Sequence, residues 1–294
     1  LCAYDTPDET VPIVDPRLPL AVIGLPIQQT PRWRAALTSY WCPIDAGVFW
    51  YGDDRKGKLR KVTLSYPYQI ARYPVTHADF ARFVADGGYT QERWWTPQGR
   101  QWRGQNSVMA PGFFDNTRYN NPMQPVVGVS WYEAVAYCTW LTDQGHRQGW
   151  LPQTDVIRLP TSLEWERTAR HTDQRRYPWG DAEPDAERAN YDETGIGAPS
   201  PVGCFPQGSA ACGALDMAGN VDEWTITPDD KDQQVEPQKD FTRTQGVVIR
   251  RAAFNDNSER MCCGSRGRYN PFSWNDFLGF RLVWSPRSLS GSDE

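Results

Sequence analysis

The residues best suited to covalent chemistry lie near the C-terminus, in the stretch GVVIRRAAFNDNSERMCCGSRGRYNPFSWNDFLGFRLVWSP over 246–286. A thiolate is both a nucleophile and a soft metal ligand, and this stretch holds two cysteines, Cys262 and Cys263. Because they are adjacent, an extended backbone sends their side chains to opposite sides, and two sulfurs so placed do not converge on one ion. Elsewhere the cysteines Cys2, Cys42, Cys138, Cys204 and Cys212 form no C-x2-C pair, and only His77, His146 and His171 could join them. A zinc site is not expected from that set. No nucleophile-elbow sequence supports a Ser-His-Asp arrangement. His146 ends a helical pattern, where an imidazolium suits the helix dipole, and a structural role is expected for it and for His77. Cys262 and Cys263 therefore read as small buried thiols.

The elements that would position these residues are short. Gly47–Tyr51 reads as an aromatic strand closed by Gly52-Asp53-Asp54, and KVTLSYPYQIARYPV follows as further strands. Thr76 caps HADFARFVADGG, in which Phe80, Phe83 and Val84 share one face and Gly87 ends the helix. The clearest helix is VVGVSWYEAVAYCTWL. Ser130 caps it, Glu133 stands three residues on, and Ala134, Tyr137, Cys138 and Leu141 form its apolar stripe. The device recurs at Thr161 and Glu164, after a strand over Val156–Leu159. Residues 89–116, rich in Trp, Arg and Gln, show no clean period and read as a packed loop. Two main helices among short antiparallel strands and long loops, without strand–helix alternation, predict an α+β fold.

Composition narrows the function classes. A net charge of −5 with no basic run argues against a nucleic-acid partner. No apolar run approaches the roughly 20 residues of a membrane helix. Seven scattered cysteines in a chain long enough to build its own core suit reduced thiols and a cytoplasmic location. Residues 1–40 are Pro-rich and weakly patterned, so they read as an extended arm before a domain over 41–286, with 287–294 a flexible tail. The chain opens on LCAYD rather than Met, which leaves room for a leader or a fused domain upstream.

Seven ordered segments carry a resemblance: PIDAGVFWYGDD, YPVTHADFARFV, PVVGVSWYEAVAYCTWL, RLPTSLEWERTAR, YPWGD, LDMAGNVDEW and GFRLV. Together, over roughly residues 41–285, they resemble the formylglycine-generating-enzyme (sulfatase-modifying factor) family, whose domain is a variant of the C-type lectin fold. The resemblance implies two catalytic, copper-binding cysteines four residues apart. The corresponding positions here hold Ala253 and Ser258, and neither can act as ligand or nucleophile. Cys263 falls on a cysteine that is structural in some relatives, with Ala169 at its usual partner position. The sulfoxide-synthase branch of the family needs a three-histidine iron site on an added bundle, which three scattered histidines do not supply. Formylglycine-generating activity is not expected, and a metal-dependent oxidoreductase is the weaker alternative.

The resemblance also implies structural Ca²⁺. In one site Asp216 and Glu223 would supply side chains and Gly219 and Val221 carbonyls, with Asp222 standing where the family usually has Trp. A second site would take Asn190 with the carbonyls of Tyr191 and Ile196, and Asp192 as its nearest acid. Hard oxygens on a tight glycine-containing turn suit this ion.

In C-type lectin folds the face built by residues 254–278 carries ligands. Phe254, Asn255, Asn257, Tyr269, Asn270, Phe272, Trp274, Asn275 and Phe277 are of the types that paratopes favour, since aromatics supply area at low entropy cost and small polar side chains adapt. A non-catalytic module that binds a protein or peptide through this surface and the aromatic insert is the expected function, with Phe280 buried and Arg281 paired internally. The variable proteins of diversity-generating retroelements end in a similar pattern. Asp256, Ser258, Ser273 and Asp276 join most of the residues above among those that such mutable codons reach, whereas Glu259, Met261 and Trp274 do not fit.

Overall fold

The computed structural model describes residues 40–229, 240–242 and 245–287. The expected arm and tail lie almost wholly outside that range. Tyr40 is already core, 3% exposed beside Trp41.

Three sheets carry the fold. The first joins β1 (Trp41–Ile44), β4 (Tyr68–Ala71), β10 (Val283–Pro286) and β5 (Asp155–Arg158), in that order and antiparallel throughout. The first and last described strands thus flank β4. A hairpin pairs β2 (Gly47–Tyr51) with β3 (Arg60–Leu64). The third sheet orders β8 (Arg266–Tyr269), β7 (Val247–Arg250), β6 (Asp222–Pro228) and β9 (Leu278–Gly279). The expectation of antiparallel strands fails at one place: β9 runs parallel to β6, pairing Asp222 with Leu278 and Glu223 with Gly279.

Among the described residues there are four α-helices: α1 (His77–Ala85), α2 (Pro97–Asn106), α3 (Trp131–Gln148) and α4 (Ser162–Arg170). Thr76, Ser130 and Thr161 cap α1, α3 and α4. Each makes a reciprocal capping box, with Asp79, Glu133 and Glu164 respectively. Helix α2 corrects the reading of the insert as loop. Thr96 caps it and Pro97 opens it, but Gly99 and Trp102 are its only buried residues, so no apolar stripe exists to be seen. Trp102 docks on Tyr132 of α3, ring centres 5.6 Å apart.

Side chains alternate across the third sheet. Trp224, Val247, Ile249, Leu278 and the partly buried Tyr269 face the main aromatic core, which α1 and α3 fill with Phe80, Phe83, Trp131 and Tyr137. Glu223 and Arg250, paired in register, face the layer formed by α4 and the β2–β3 hairpin, and both are buried. A charge removed from water must be paired. Glu166 receives Arg250 at 2.9 Å and Arg170 at 3.2 Å, and Arg158 forks onto Glu164 at 2.6 and 2.7 Å. Phe280 is buried and Arg281 is paired internally, as expected.

Candidate functional site

The positions that correspond to the family's cysteines lie just beyond β7. Ala253 is buried, and its backbone N–H donates to Asp256 Oδ2 at 3.2 Å. Ser258 opens a single 3-10 turn, and its backbone N–H donates to Glu193 Oε1 at 3.1 Å. Neither contributes a thiol. Cys262 and Cys263 are both buried and enter different clusters. Cys262 packs with Tyr177, Tyr191 and Met261, and Cys263 with Phe49, Tyr51 and Ala169. Burial raises both thiols, Cys262 despite the pull of Arg55 and Cys263 despite that of Arg170. They are neutral at neutral pH and face apart, as adjacency implied. The three histidines do not assemble: His77 Nε2 meets Phe114 O at 3.0 Å, His146 Nε2 meets Asp155 O at 2.9 Å, and His171 Nδ1 lies by Arg167.

The first expected calcium set is corrected by Arg281. Its guanidinium lies fully buried against Glu223. Nε reaches Oε2 at 2.7 Å and Nη2 reaches Oε1 at 2.7 Å, while Trp165 Nε1 also donates to Oε2 at 2.7 Å. Nη2 further donates to the carbonyls of Leu215 and Asp216, both at 3.0 Å. A cation thus already fills the space between Glu223 and the Asp216 backbone. Asp216 turns away in a left-handed conformation (φ 54°), and Gly203 N–H donates to its Oδ2 at 2.8 Å. Burial pushes its carboxyl up to about 6. Gly219 (φ 89°) lies so close to Asn190 that a Cβ there would sit 2.6 Å from its carbonyl oxygen. Asp216, Gly219, Val221 and Glu223 therefore form a hydrogen-bonded turn over an ion pair, and do not fit a calcium cage.

The second set differs. Asn190 is buried and its Nδ2 donates to Ala198 O at 2.9 Å, but its Oδ1 is a buried acceptor with no hydrogen-bond partner among the described residues. Tyr191 begins the turn Asp192–Thr194, and the Ile196 side chain is exposed. An unfilled buried acceptor is costly, and a hard cation is one group that would satisfy it.

Sequence reasoning had marked Asp222 only as a departure from the family pattern, and the structure gives it a distinct place. Asp222 Oδ1 accepts from Ala252 N–H at 3.0 Å, while Oδ2 is buried without a hydrogen bond. Arg251 Nε, itself without one, lies 3.7 Å away, and Asp256 is held by Arg260 at 3.1 Å. Burial, then the charge of Asp256, pushes Asp222 up to about 8.

The expected ligand face is partly scaffold. Phe254 is 5% exposed and belongs to the buried core, while Tyr269, Phe272 and Phe277 are half-buried against the main core. The expectation that these aromatics stand exposed is thus corrected, because the face lies directly over the core they complete. In the aromatic insert Tyr89, Trp94, Trp95 and Trp102 are likewise buried. What reaches solvent is Asn255, Asn257, Asn270 and Trp274, with Asn275 half-buried. Trp274 is 48% exposed, yet its ring is seated. A Cβ on Gly112 would come within 2.5 Å of it, and Phe113 packs edge-on at 5.6 Å. Backbone bonds pin the loop beneath: Trp131 N–H to Pro271 O at 3.0 Å and Gly128 N–H to Asn275 O at 2.9 Å. Tyr119 Oη donates to Asp276 Oδ2 at 2.7 Å.

This architecture, short strands and capped helices around a buried Arg–Glu centre, is that of a formylglycine-generating-enzyme-like variant of the C-type lectin fold. The sulfatase-modifying factor enzyme 1-like domain matches residues 34–286, and the chain belongs to that family. It is 38% identical over 174 residues to the hercynine oxygenase of Mycolicibacterium thermoresistibile, covering 55% of this chain and 36% of that protein. To the formylglycine-generating enzyme of Bos taurus it is 27% identical over 312 residues, 86% of this chain and 76% of the relative. The solved structure of Treponema denticola variable protein 1 superimposes with a TM-score of 0.58 at 19% identity, over 84% of this chain and 95% of the other. The chain spans about a third to a half of the hercynine oxygenases it matches. Among the described residues, no helix is long and apolar enough to cross a membrane.

Proposed function

We propose that this domain is a non-catalytic recognition module that binds a protein or peptide through the face around Trp274. The observation that carries the reading is a half-exposed tryptophan held on Gly112 and Phe113 over a loop pinned at both ends. A preorganised indole supplies contact area without the entropy cost of ordering it on binding. Asn255, Asn257 and Asn270 supply adaptable hydrogen-bonding groups on the same segment. Ala253 and Ser258 support the non-catalytic half, since neither replaces a thiolate. The reading places the domain in the cytoplasm, alone or fused to others, with Ca²⁺ at Asn190 and the carbonyls of Tyr191 and Ile196, where the unfilled Asn190 Oδ1 supports it.

Two experiments test the halves separately. Selection of a random-peptide library on the immobilised domain should enrich sequences that the Trp274→Ala protein no longer retains. Peptides kept equally by both proteins would contradict the Trp274 face. Incubation with a sulfatase-type cysteine peptide and copper should leave the cysteine unchanged by mass spectrometry, and formylglycine in the product would restore the oxidoreductase reading. Exposure of Asn255, Asn257 and Asn270 also favours a diversified variable protein within the same binding role. A reverse transcriptase and template repeat beside the gene are what that version requires.

A further inference from the structure

A cleft of about 460 Å³ opens on the side of the third sheet away from the aromatic core. Its shape follows from strand register. Val248 pairs with Arg268 and Arg250 with Arg266, so these four side chains project from one face. Arg250 turns inward to Glu166, while Arg266 and Arg268 continue the row into the cleft. The turn after β2 forms the opposite wall and contributes Arg55, Lys56 and Lys58.

That turn is held by its own geometry. Asp53 accepts from the Arg55 backbone N–H at 3.2 Å, Gly57 closes the turn at φ 62°, and Gly52 (φ 133°) lies so close to the Lys58 carbonyl that no Cβ fits. The cations are therefore presented by an ordered wall. Two carboxylates share the cleft. Asp53 is engaged by Arg55 at 2.9 Å and by Lys56 at 3.5 Å, and Asp229 by Arg268 at 2.7 Å. Leaving Arg266 aside, four cations (Arg55, Lys56, Lys58 and Arg268) stand against two carboxylates among the described lining residues, an excess of two, and Lys58 has no ion pair among the described residues. On a chain of net charge −5 this concentration runs against the overall balance. Like charges gathered in a concave site raise the local potential and favour an anion there.

We propose that this cleft is a binding site for a dianionic oxyanion, a phosphoryl group carried by a small molecule or by a phosphorylated side chain. Guanidinium and ammonium groups on two facing walls can donate to several of its oxygens at once, as such groups require. The cleft borders the Trp274 face at Arg268 but uses cations that the Trp274 reading does not, so it stands whether or not that face binds a peptide.

Calorimetry with inorganic pyrophosphate and with a phosphoserine peptide, each at low and at 0.5 M salt, tests the proposal. At least one should bind at low salt, and its affinity should fall as salt rises. Pyrophosphate alone binding assigns a small-molecule ligand, and the peptide binding well above its unphosphorylated form assigns a modified side chain. Lys58→Glu should weaken binding about tenfold or more, the scale of one charge-assisted contact, with the melting temperature unchanged. If that variant does not fold, Lys56→Ala with Lys58→Ala replaces it, since both side chains are exposed. No binding of either probe at millimolar concentration in low salt would overturn the proposal, as would equal affinity in a folded charge variant.

Discussion

Two neighbours on β6, Asp222 and Glu223, are buried alike and have opposite circumstances. Glu223 faces Arg281 and receives a forked guanidinium plus an indole N–H. Asp222 faces the other way, toward Tyr269 and Asp256, with one oxygen bonded and the other bare. The first is a structural ion pair that fastens β6 to the segment between β9 and β10. The second is a carboxyl whose burial outweighs a long ion pair with Arg251 at 3.7 Å, directly beneath the segment proposed to bind. Burial alone therefore does not say what an acid does, and the partner supplied by the opposing element decides it.

Breaking the satisfied side should have the largest effect. Glu223→Ala leaves Arg281 buried and uncompensated, and should cost about 3–5 kcal/mol in denaturant unfolding. The loss should be the same with chelator and with millimolar calcium, because the oxygens of Glu223 are already occupied by Arg281. A calcium-dependent difference at this residue would return Glu223 to the metal.

The unsatisfied side should move the other way. The folded-state pKa of Asp222 lies at about 8, above the ordinary carboxylate range near 4 of the unfolded chain. Stability that Asp222 leaves intact below pH 4 is therefore lost as pH rises through 8. Asp222→Asn should be near neutral at pH 4 and more stable than wild type by about 2 kcal/mol at pH 9, the order of cost of a buried unsatisfied polar group. Parallel melts at the two pH values read this directly, and a variant less stable at pH 9 would show that the contact with Arg251 outweighs the cost of burial.

A smaller effect is expected at Asn190. Millimolar calcium should raise the melting temperature of the wild type, as any ligand of the native state alone does, and Asn190→Ala should abolish that rise. An unchanged wild-type melt would remove calcium from the account.

What could be read in the sequence divides along the same line. Capping boxes are local, so Ser130–Glu133 and Thr161–Glu164 were legible from spacing. The internal pairing of Arg281 followed from the cost of burying a guanidinium, although its acceptor did not. Choosing Glu223 required knowing that β9 runs parallel beside β6, two residues before Arg281, a long-range arrangement that no local pattern encodes. Helix α2 escaped for the opposite reason: Thr96 and Pro97 marked its start, but a helix touching the core through Trp102 has no stripe to reveal it. For the proposed ligand face, the sequence did not reveal which side chains are buried. Residue type cannot separate Phe254, which is core, from Trp274, which is surface. The basic cleft was invisible because its cations come from two segments about 200 residues apart.

The smallest expected change in stability attends the most consequential side chain. Trp274→Ala removes a half-exposed ring and should shift unfolding by no more than about 1 kcal/mol. The most direct test of recognition by this face is the affinity of a selected peptide for wild-type and Trp274→Ala proteins, by calorimetry on samples of matched melting temperature. A loss of about tenfold or more, as expected at an aromatic anchor, is the predicted result, and equal affinity would contradict it.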